Sequence, residues 1–450
     1  MEVSELEKIL MECYKKLKSY VYYTNNLTHI KYKILDFEMK KNFEYTFKKI
    51  AKAIINENDE FFNDLIYKVD LIPQIKKIKS TEKNQNIVLN EINNGCEIVV
   101  EKVNFFIDMP IELYIVDTFW TILFGKCIND KGLNLNINDL GQKPVAANTF
   151  DYGLFTTEEG IDGIDFTGLK LYKPYFKNYQ DWKKGAIEKS VSLYNNNESS
   201  TIVSLDLTSF YYTINLKFDE LKALCNIKGY NFQYETSIIE KIITTYAKKL
   251  SKIKTEIKEN ILPIGMICSG VLSNYYLLQF DDVIKGLPSV EYYSRYVDDI
   301  LIVISGEQHI ESAVDFLLPK FDTVFLLEDD KIKLKFFKDC YIQKEKIKIF
   351  YISSTGSKAI LDSLQEEIPD PSEGNLVPNI ENADLNNFFK NVYNLDEKII
   401  KLRDKSGPEL NKYKLFTNMS NYVLAQKILK IISKILFVQM LQIIVIKMNH

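Results

Sequence analysis

The stretch YYSRYVDDILIVIS, residues 292–305, decides how the rest of the chain is read. Two aromatic and β-branched runs flank an adjacent pair of aspartates, the pattern of a tight β-hairpin with Asp298 and Asp299 at its turn. The run that follows, Ile300 to Ile304, is apolar at every position, so that strand is expected to be buried on both faces. Charge at the mouth of such a strand is costly unless something pairs with it, and hard divalent cations favour carboxylate oxygens. A second apolar run, TIVSLD, delivers Asp206 in the same manner. Three carboxylates on two neighbouring strand ends could hold two ions ~4 Å apart, which activates an attacking hydroxyl and stabilises a leaving oxygen in phosphoryl transfer. Taken singly, each signal also fits ordinary turn chemistry. The combination carries the argument.

Around these two runs, the pattern predicts a strand at 201–206, a helix at 235–250, a helix opened by Pro263, a hairpin at 291–304 and a helix at 308–318. Strands are expected at 333–337 and 346–352. This is an α+β layer with helices on one sheet face. In the helix after Pro263, Gly265, Ser269 and Ser273 would fall at i, i+4 and i+8, a stripe of small residues that lets another backbone come close. Upstream, residues 1–101 read as helices with charged faces, beginning with an apolar stripe of Val3, Leu6, Ile9, Leu10, Cys13 and Leu17. Residues 104–125 read as a buried helix preceded by a break at Pro110. Loops and short strands are expected around Gly141, Gly153, Gly160, Gly163 and Gly168, and a loop at 195–200. Residues 366–379, with three prolines, read as a linker, and the chain beyond 383 as helical.

At 450 residues the chain should hold two or three subdomains. Six cysteines form no C-x-x-C pair and sit near none of the three histidines, so neither a disulfide framework nor a zinc module is expected, and a reducing cytoplasm is the simpler setting. No signal peptide is read at the start. The apolar stretch at 435–446 is too short to cross a bilayer, so no membrane partner is expected. A net charge of −4 does not advertise nucleic-acid binding. Lys331, Lys333, Lys335, Lys338, Lys344, Lys346 and Lys348 nevertheless make one basic segment, which a solvated face would explain as well.

Three segments together resemble the palm of reverse transcriptases: DLTSFYYTI at 206–214, LPIGMICSGVLSN at 262–274 and YVDD at 296–299, in that family's order. The resemblance runs over about 108–352 and implies a right-hand polymerase with fingers and an antiparallel palm sheet, flanked by N- and C-terminal helical regions. The corresponding division is 1–103 helical, 104–200 fingers-like, 201–365 palm, and 366–450 linker and C-terminal helical. By residue-by-residue carry-over, Asp206 and Asp298 are implied as metal ligands, with Asp299 in support and the carbonyl of Leu207 as a further ligand. The ions would be two Mg2+, replaceable by Mn2+.

Tyr211 stands where the family has an aromatic gate against a ribose 2′-hydroxyl, which implies dNTP substrates; Phe210, Tyr211 and Tyr212 could instead be core aromatics, and core packing is the expected reading for Phe210 and Tyr212. Ile264 and Gly265 are implied near the nascent base pair, and Ser269 joins them and Tyr211 among the implied nucleotide-binding residues. FLLEDDKIKLKFF at 325–337 resembles the fourth palm motif and nominates Lys331 to protonate the leaving pyrophosphate. IKIFYIS at 347–353 holds the place of the primer-gripping hairpin, but Tyr351 and Ile352 replace the family's leucine-glycine pair. Only Arg295 and Arg403 occur in the chain, so no arginine marks a triphosphate-binding finger.

LYKPYFKNYQDWKKGAI at 171–187 resembles the bacterial abortive-infection and unassigned defence-associated members. That likeness offers Lys173, Lys183 and Lys184 for phosphates and Tyr175, Tyr179 and Trp182 for base stacking or packing. It implies DNA synthesis in antiphage defence, copying RNA or, as an alternative, without template and from a protein hydroxyl. A non-coding RNA, a partner protein or further copies of the chain are compatible partners. RNA synthesis and a non-catalytic effector on a polymerase fold are the other readings.

Overall fold

The computed structural model describes residues 1–24, 27–78, 100–132, 149–151, 153–169, 171–173, 175–306, 310–355 and 361. The expected linker and C-terminal helices, and the loop at Gly141, lie outside these residues. Two compact units are present: Met1–Gln74 with Val103–Pro371, and Ile75–Lys102 with Ser372–His450. The described residues belong to the first unit except for 75–78 and 100–102.

The chain opens with helices α1 (Val3–Tyr23), α2 (Thr28–Glu38), α3 (Tyr45–Ile55) and α4 (Asp59–Ile66). The apolar stripe of α1 is its buried face, through Leu6, Leu10, Cys13 and Leu17. An all-helical start is corrected by two strands, β1 (Asp70–Ile78) and β2 (Val100–Asp108), which pair with each other. The strand reading was available in the alternation of VEKVNFFID, but its charges fit a helix face as well. After Pro110 comes α5 (Ile111–Asp130), buried from Ile111 through Ile128 except at Glu112, with no polar face to guide packing. It is the hub of the core, since a helix apolar all round must be enclosed.

Next come α6 (Tyr175–Asn195), β3 (Ser200–Asp206), the short α7 (Phe210–Thr213) and α8 (Phe218–Leu224), a small hairpin of β4 (Asn226–Ile227) and β5 (Tyr230–Asn231), and α9 (Gln233–Leu250). They are followed by α10 (Cys268–Tyr276), α11 (Leu278–Lys285), β6 (Val290–Tyr296), β7 (Asp299–Ser305) and α12 (Ala313–Lys320). A second hairpin, β8 (Phe325–Glu328) and β9 (Lys331–Leu334), precedes β10 (Lys348–Ile352).

The central sheet has the order β10-β3-β7-β6, antiparallel at each pairing. With helices between β3 and β6 and again between β7 and β10, this is the βαββαβ arrangement of ferredoxin-like sheets. Helices lie on both faces, which corrects the one-sided layer. On one face Ala186 and Leu193 of α6 pack with Tyr292 and Val303. On the other, Tyr293, Ile300, Ile302 and Ile304 join the main core with Phe280 of α11. The apolar run of β7 therefore has both of its sides covered, the cause of its unbroken hydrophobicity.

The helix expected to open at Pro263 begins only at Cys268. Before it the chain is tied down in extended form: Leu262 N donates to Tyr211 O at 3.0 Å, and Ile107 N donates to Ile264 O at 2.8 Å. Gly265 has φ +94°, a backbone region costly for side chains. The helix gains its start from afar. Asp117 of α5, fully buried, accepts from Ile267 N at 2.6 Å and Cys268 N at 3.0 Å, and so caps α10 in place of a local cap residue. Gly265 thus does not share the helical stripe of Ser269 and Ser273.

Candidate active site

Strand β3 runs antiparallel to β7 with Asp206 opposite Asp299. The hairpin joining β6 to β7 has a two-residue loop, Val297 and Asp298, because Tyr296 pairs directly with Asp299. Leu207 N donates to Asp298 O at 3.3 Å. Register and turn together therefore bring Asp206, Asp298 and Asp299 to one end of the sheet. Burial, then the charges of Asp299 and Asp206, push the Asp298 carboxyl up to about 6. Asp299 is raised too, by burial and then by Asp206, against the opposing pull of Lys346 and Lys183. Like charges on a sheltered strand end make each other costly, and a cation relieves that cost.

The loop carries a second strain. Val297 has φ +59°, where a β-branched residue is a genuine outlier and hairpin turns prefer glycine. Val297→Gly is expected to raise the stability of the folded state by about 1 kcal/mol, read as a higher denaturant midpoint with an unchanged slope.

Behind the loop stands Arg295, fully buried on β6. It donates to both carboxylate oxygens of Asp281, at 2.8 and 2.9 Å, to Asn274 Oδ1 and O at 3.0 and 3.1 Å, and to Val297 O at 3.2 Å. One guanidinium thus joins α10, α11 and the strained loop. Tyr293 adds its hydroxyl to Asp281. Sequence reasoning noted Arg295 only as one of two arginines. Its position two residues before the aspartate loop, with a carboxylate on the preceding helix, was the available signal.

Tyr211 lies partly buried beside this cluster. Its hydroxyl meets that of Ser273, and burial followed by the nearby charge of Asp298 pushes it well above the usual phenol range. Phe210 is buried, while Tyr212 accepts from Phe105 N at 3.1 Å with Lys254 over its ring. Ser269 is buried and donates to Pro263 O at 2.7 Å. A Cβ at Gly265 would come within 3.0 Å of Phe106 and 3.6 Å of Leu27, and Ile264 bridges to Phe106. The close neighbours permitted by the glycine are thus apolar side chains of this chain.

Of the seven lysines in the basic segment, Lys346 is the one that reaches the aspartates, 2.7 Å from Asp206 Oδ2. Lys331 starts β9 and holds its ammonium 5.7 Å from the ring centre of Tyr341. Lys333 pairs with Glu328 and Lys344 with Asp330. Lys184 pairs with Glu188 on α6, and Trp182 is buried, donating to Ser294 O at 3.3 Å. The side chains of Tyr175 and Tyr179 lie outside the described residues. As the side chains stand, no group of three or more His, Cys, Asp or Glu among the described residues is drawn together tightly enough to hold a metal ion. A lysine ammonium instead serves Asp206.

A model of the reverse transcriptase (RNA-dependent DNA polymerase) family matches residues 137–351. The match takes in α6, the whole aspartate-bearing sheet except the last residue of β10, and every site residue named above from Tyr211 onward. No curated protein matches the chain. A reverse transcriptase domain implies binding of nucleic acid and of deoxynucleoside triphosphates. No helix among the described residues is long and apolar enough to cross a membrane.

Proposed function

We propose that this protein is a DNA polymerase of reverse-transcriptase type, transferring nucleotidyl groups from dNTPs at Asp206, Asp298 and Asp299. The observation that carries the reading is the register of Asp206 with Asp299 beside the loop that bears Asp298, inside the segment matched by the family model. The βαββαβ sheet is then the palm, the segment before it serves as fingers, and the chain after 366 as a further helical region.

In their chemistry, though not in the side-chain positions described above, the three carboxylates suit divalent magnesium or manganese. Asp298 is pushed up by burial and by two neighbouring carboxylates, a surplus of hard oxygen charge that such ions prefer. Asp206 and Asp298 would be the principal ligands, with Asp299 and the Leu207 carbonyl in support. When bound, the two ions would lower the charge on the reacting oxygens and favour in-line displacement. The chain's own part is orientation. The β3–β7 ladder fixes the spacing of the carboxylates, Arg295 holds the loop, and α6 and the core side chains exclude water from the sheet faces. Tyr211, steadied by Ser273, would stand against a 2′-hydroxyl and admit deoxynucleotides. Lys331 remains the candidate from the fourth motif for protonating the leaving pyrophosphate.

One observation favours a second mode, template-independent synthesis at the same site. Phe106 and Leu27 lie against Gly265, where the resemblance puts the nascent base pair, and that leaves less room for a template strand. A defence role, with protein priming or an accompanying RNA, fits the likeness of residues 171–187 to defence-associated members.

The test is to supply purified protein with single dNTPs and rNTPs, with and without a primed RNA template, and to sequence any copurifying nucleic acid. Template-directed dNTP incorporation is expected for the first mode, and template-indifferent incorporation for the second. Tyr211→Ala is expected to raise the use of rNTPs relative to dNTPs by about tenfold or more, the scale of a lost steric exclusion of 1–2 kcal/mol. Equal rNTP use before and after the substitution would remove Tyr211 from substrate selection, and absence of any incorporation would overturn the proposal.

A further inference from the structure

The edge strand is interrupted where it passes Asp206. Gln343 N donates to Asp206 O at 2.8 Å, and Ile342 bridges Leu207. Regular pairing resumes only at Lys348, opposite Ser204. Between them lies a three-residue 3-10 turn, Lys344–Lys346. The turn sorts its two lysines: Lys344 is drawn to Asp330 Oδ1 at 2.6 Å, while Lys346 is delivered to Asp206 Oδ2 at 2.7 Å.

The two partners are unequally sheltered. The side chain of Asp206 is 14% exposed and that of Lys346 is 51% exposed. The carboxylate is therefore fixed in the site, whereas the ammonium reaches it from solvent on a flexible stem and can return to water; the sheltered carboxylate it leaves needs another cation in its place.

We propose that Lys346 is a resident counter-cation of the metal-free site, held on Asp206 by the interruption of the edge strand and displaced when a divalent cation binds there. The inference rests on the metal-site reading above. It makes the affinity for metal lower than three carboxylates alone would give, because each binding event must first break the ion pair. A lysine in this role differs from a general acid, which must contact the leaving group and need not touch a ligand in the absence of metal.

The experiment is titration of metal-free full-length protein with Mn2+ alone, without nucleotide, reading free Mn2+ by electron paramagnetic resonance. Lys346→Met is expected to bind Mn2+ about one-and-a-half- to fivefold more tightly than the unaltered protein, the range set by a half-exposed ion pair. Lys346→Arg is expected to bind no more tightly, since the charge remains. Asp298→Asn is expected to lose the site. Equal or weaker binding by Lys346→Met, with Asp298→Asn still abolishing it, overturns the counter-cation role and leaves the metal site standing. Unchanged binding by Asp298→Asn overturns the metal site itself. Because Lys346 is half exposed, a melting temperature within about a degree or two of the unaltered protein is expected and separates local from global effects.

Discussion

Asp298→Ala is expected to lower nucleotide incorporation by about 10³-fold or more while leaving the protein folded and no less stable. On the proposed reading the loss follows from removing a metal ligand whose role would be realised in the transition state, where metal-borne charge stabilisation supplies several kcal/mol and each 1.36 kcal/mol is tenfold in rate. The retained stability follows from the opposite sign of the same charge in the resting protein. Asp298 is held up to about 6 first by burial and then by Asp299 and Asp206, so its ionised form is a cost to the metal-free fold at neutral pH. Removing it relieves that cost. Incorporation by quenched-flow or gel assay and thermal unfolding in chelator check the two halves together. An inactive variant that also melts early would point to misfolding, and full activity would end the catalytic account of the three aspartates.

The aspartate cluster was legible because strand ends are local: an alternating or fully apolar run stopping at a carboxylate can be read within seven residues. The two-sided burial of β7 was equally plain in ILIVI, although its consequence, helices on both sheet faces, was missed. What escaped was set by contacts between distant segments. Pro263 is a sound helix opener in isolation, yet the backbone at Leu262 and Ile264 is bound to Tyr211 and Ile107. The helix waits for a cap supplied by Asp117, about 150 residues away in the chain. No local pattern announces such a cap.

Lys346 escaped for a different reason. Seven lysines within the segment share one composition, and sequence gives no ground for choosing among them. The choice is made by the 3-10 turn that interrupts the edge strand beside Asp206, and by Glu328 and Asp330, which engage Lys333 and Lys344. The fourth-motif likeness directed attention to Lys331 instead, whose ammonium lies by Tyr341. Resemblance located the neighbourhood, and geometry distinguished its members.

Arg295→Met is expected to destabilise the fold by about 3–5 kcal/mol, the cost of stranding one member of a buried ion pair. The guanidinium and Asp281 are both buried, and its five hydrogen bonds to Asp281, Asn274 and Val297 O would be lost at once. Lysine does not repair the site, since a single ammonium cannot span two carboxylate oxygens, a side-chain amide and two carbonyls in one plane. Denaturant unfolding measures the loss. The double variant Arg295→Met, Asp281→Leu should recover most of it, because replacing a whole buried pair by apolar groups is often neutral. Activity should part from stability at this point. The double variant lacks the Arg295 hydrogen bonds to Asn274 and to the Val297 carbonyl, so the loop that bears Asp298 loses the tie to α10 that Arg295 supplies. A refolded double variant that polymerises at the unaltered rate would show that Arg295 only stabilises the fold; one that is stable yet slow assigns it the positioning of the catalytic loop.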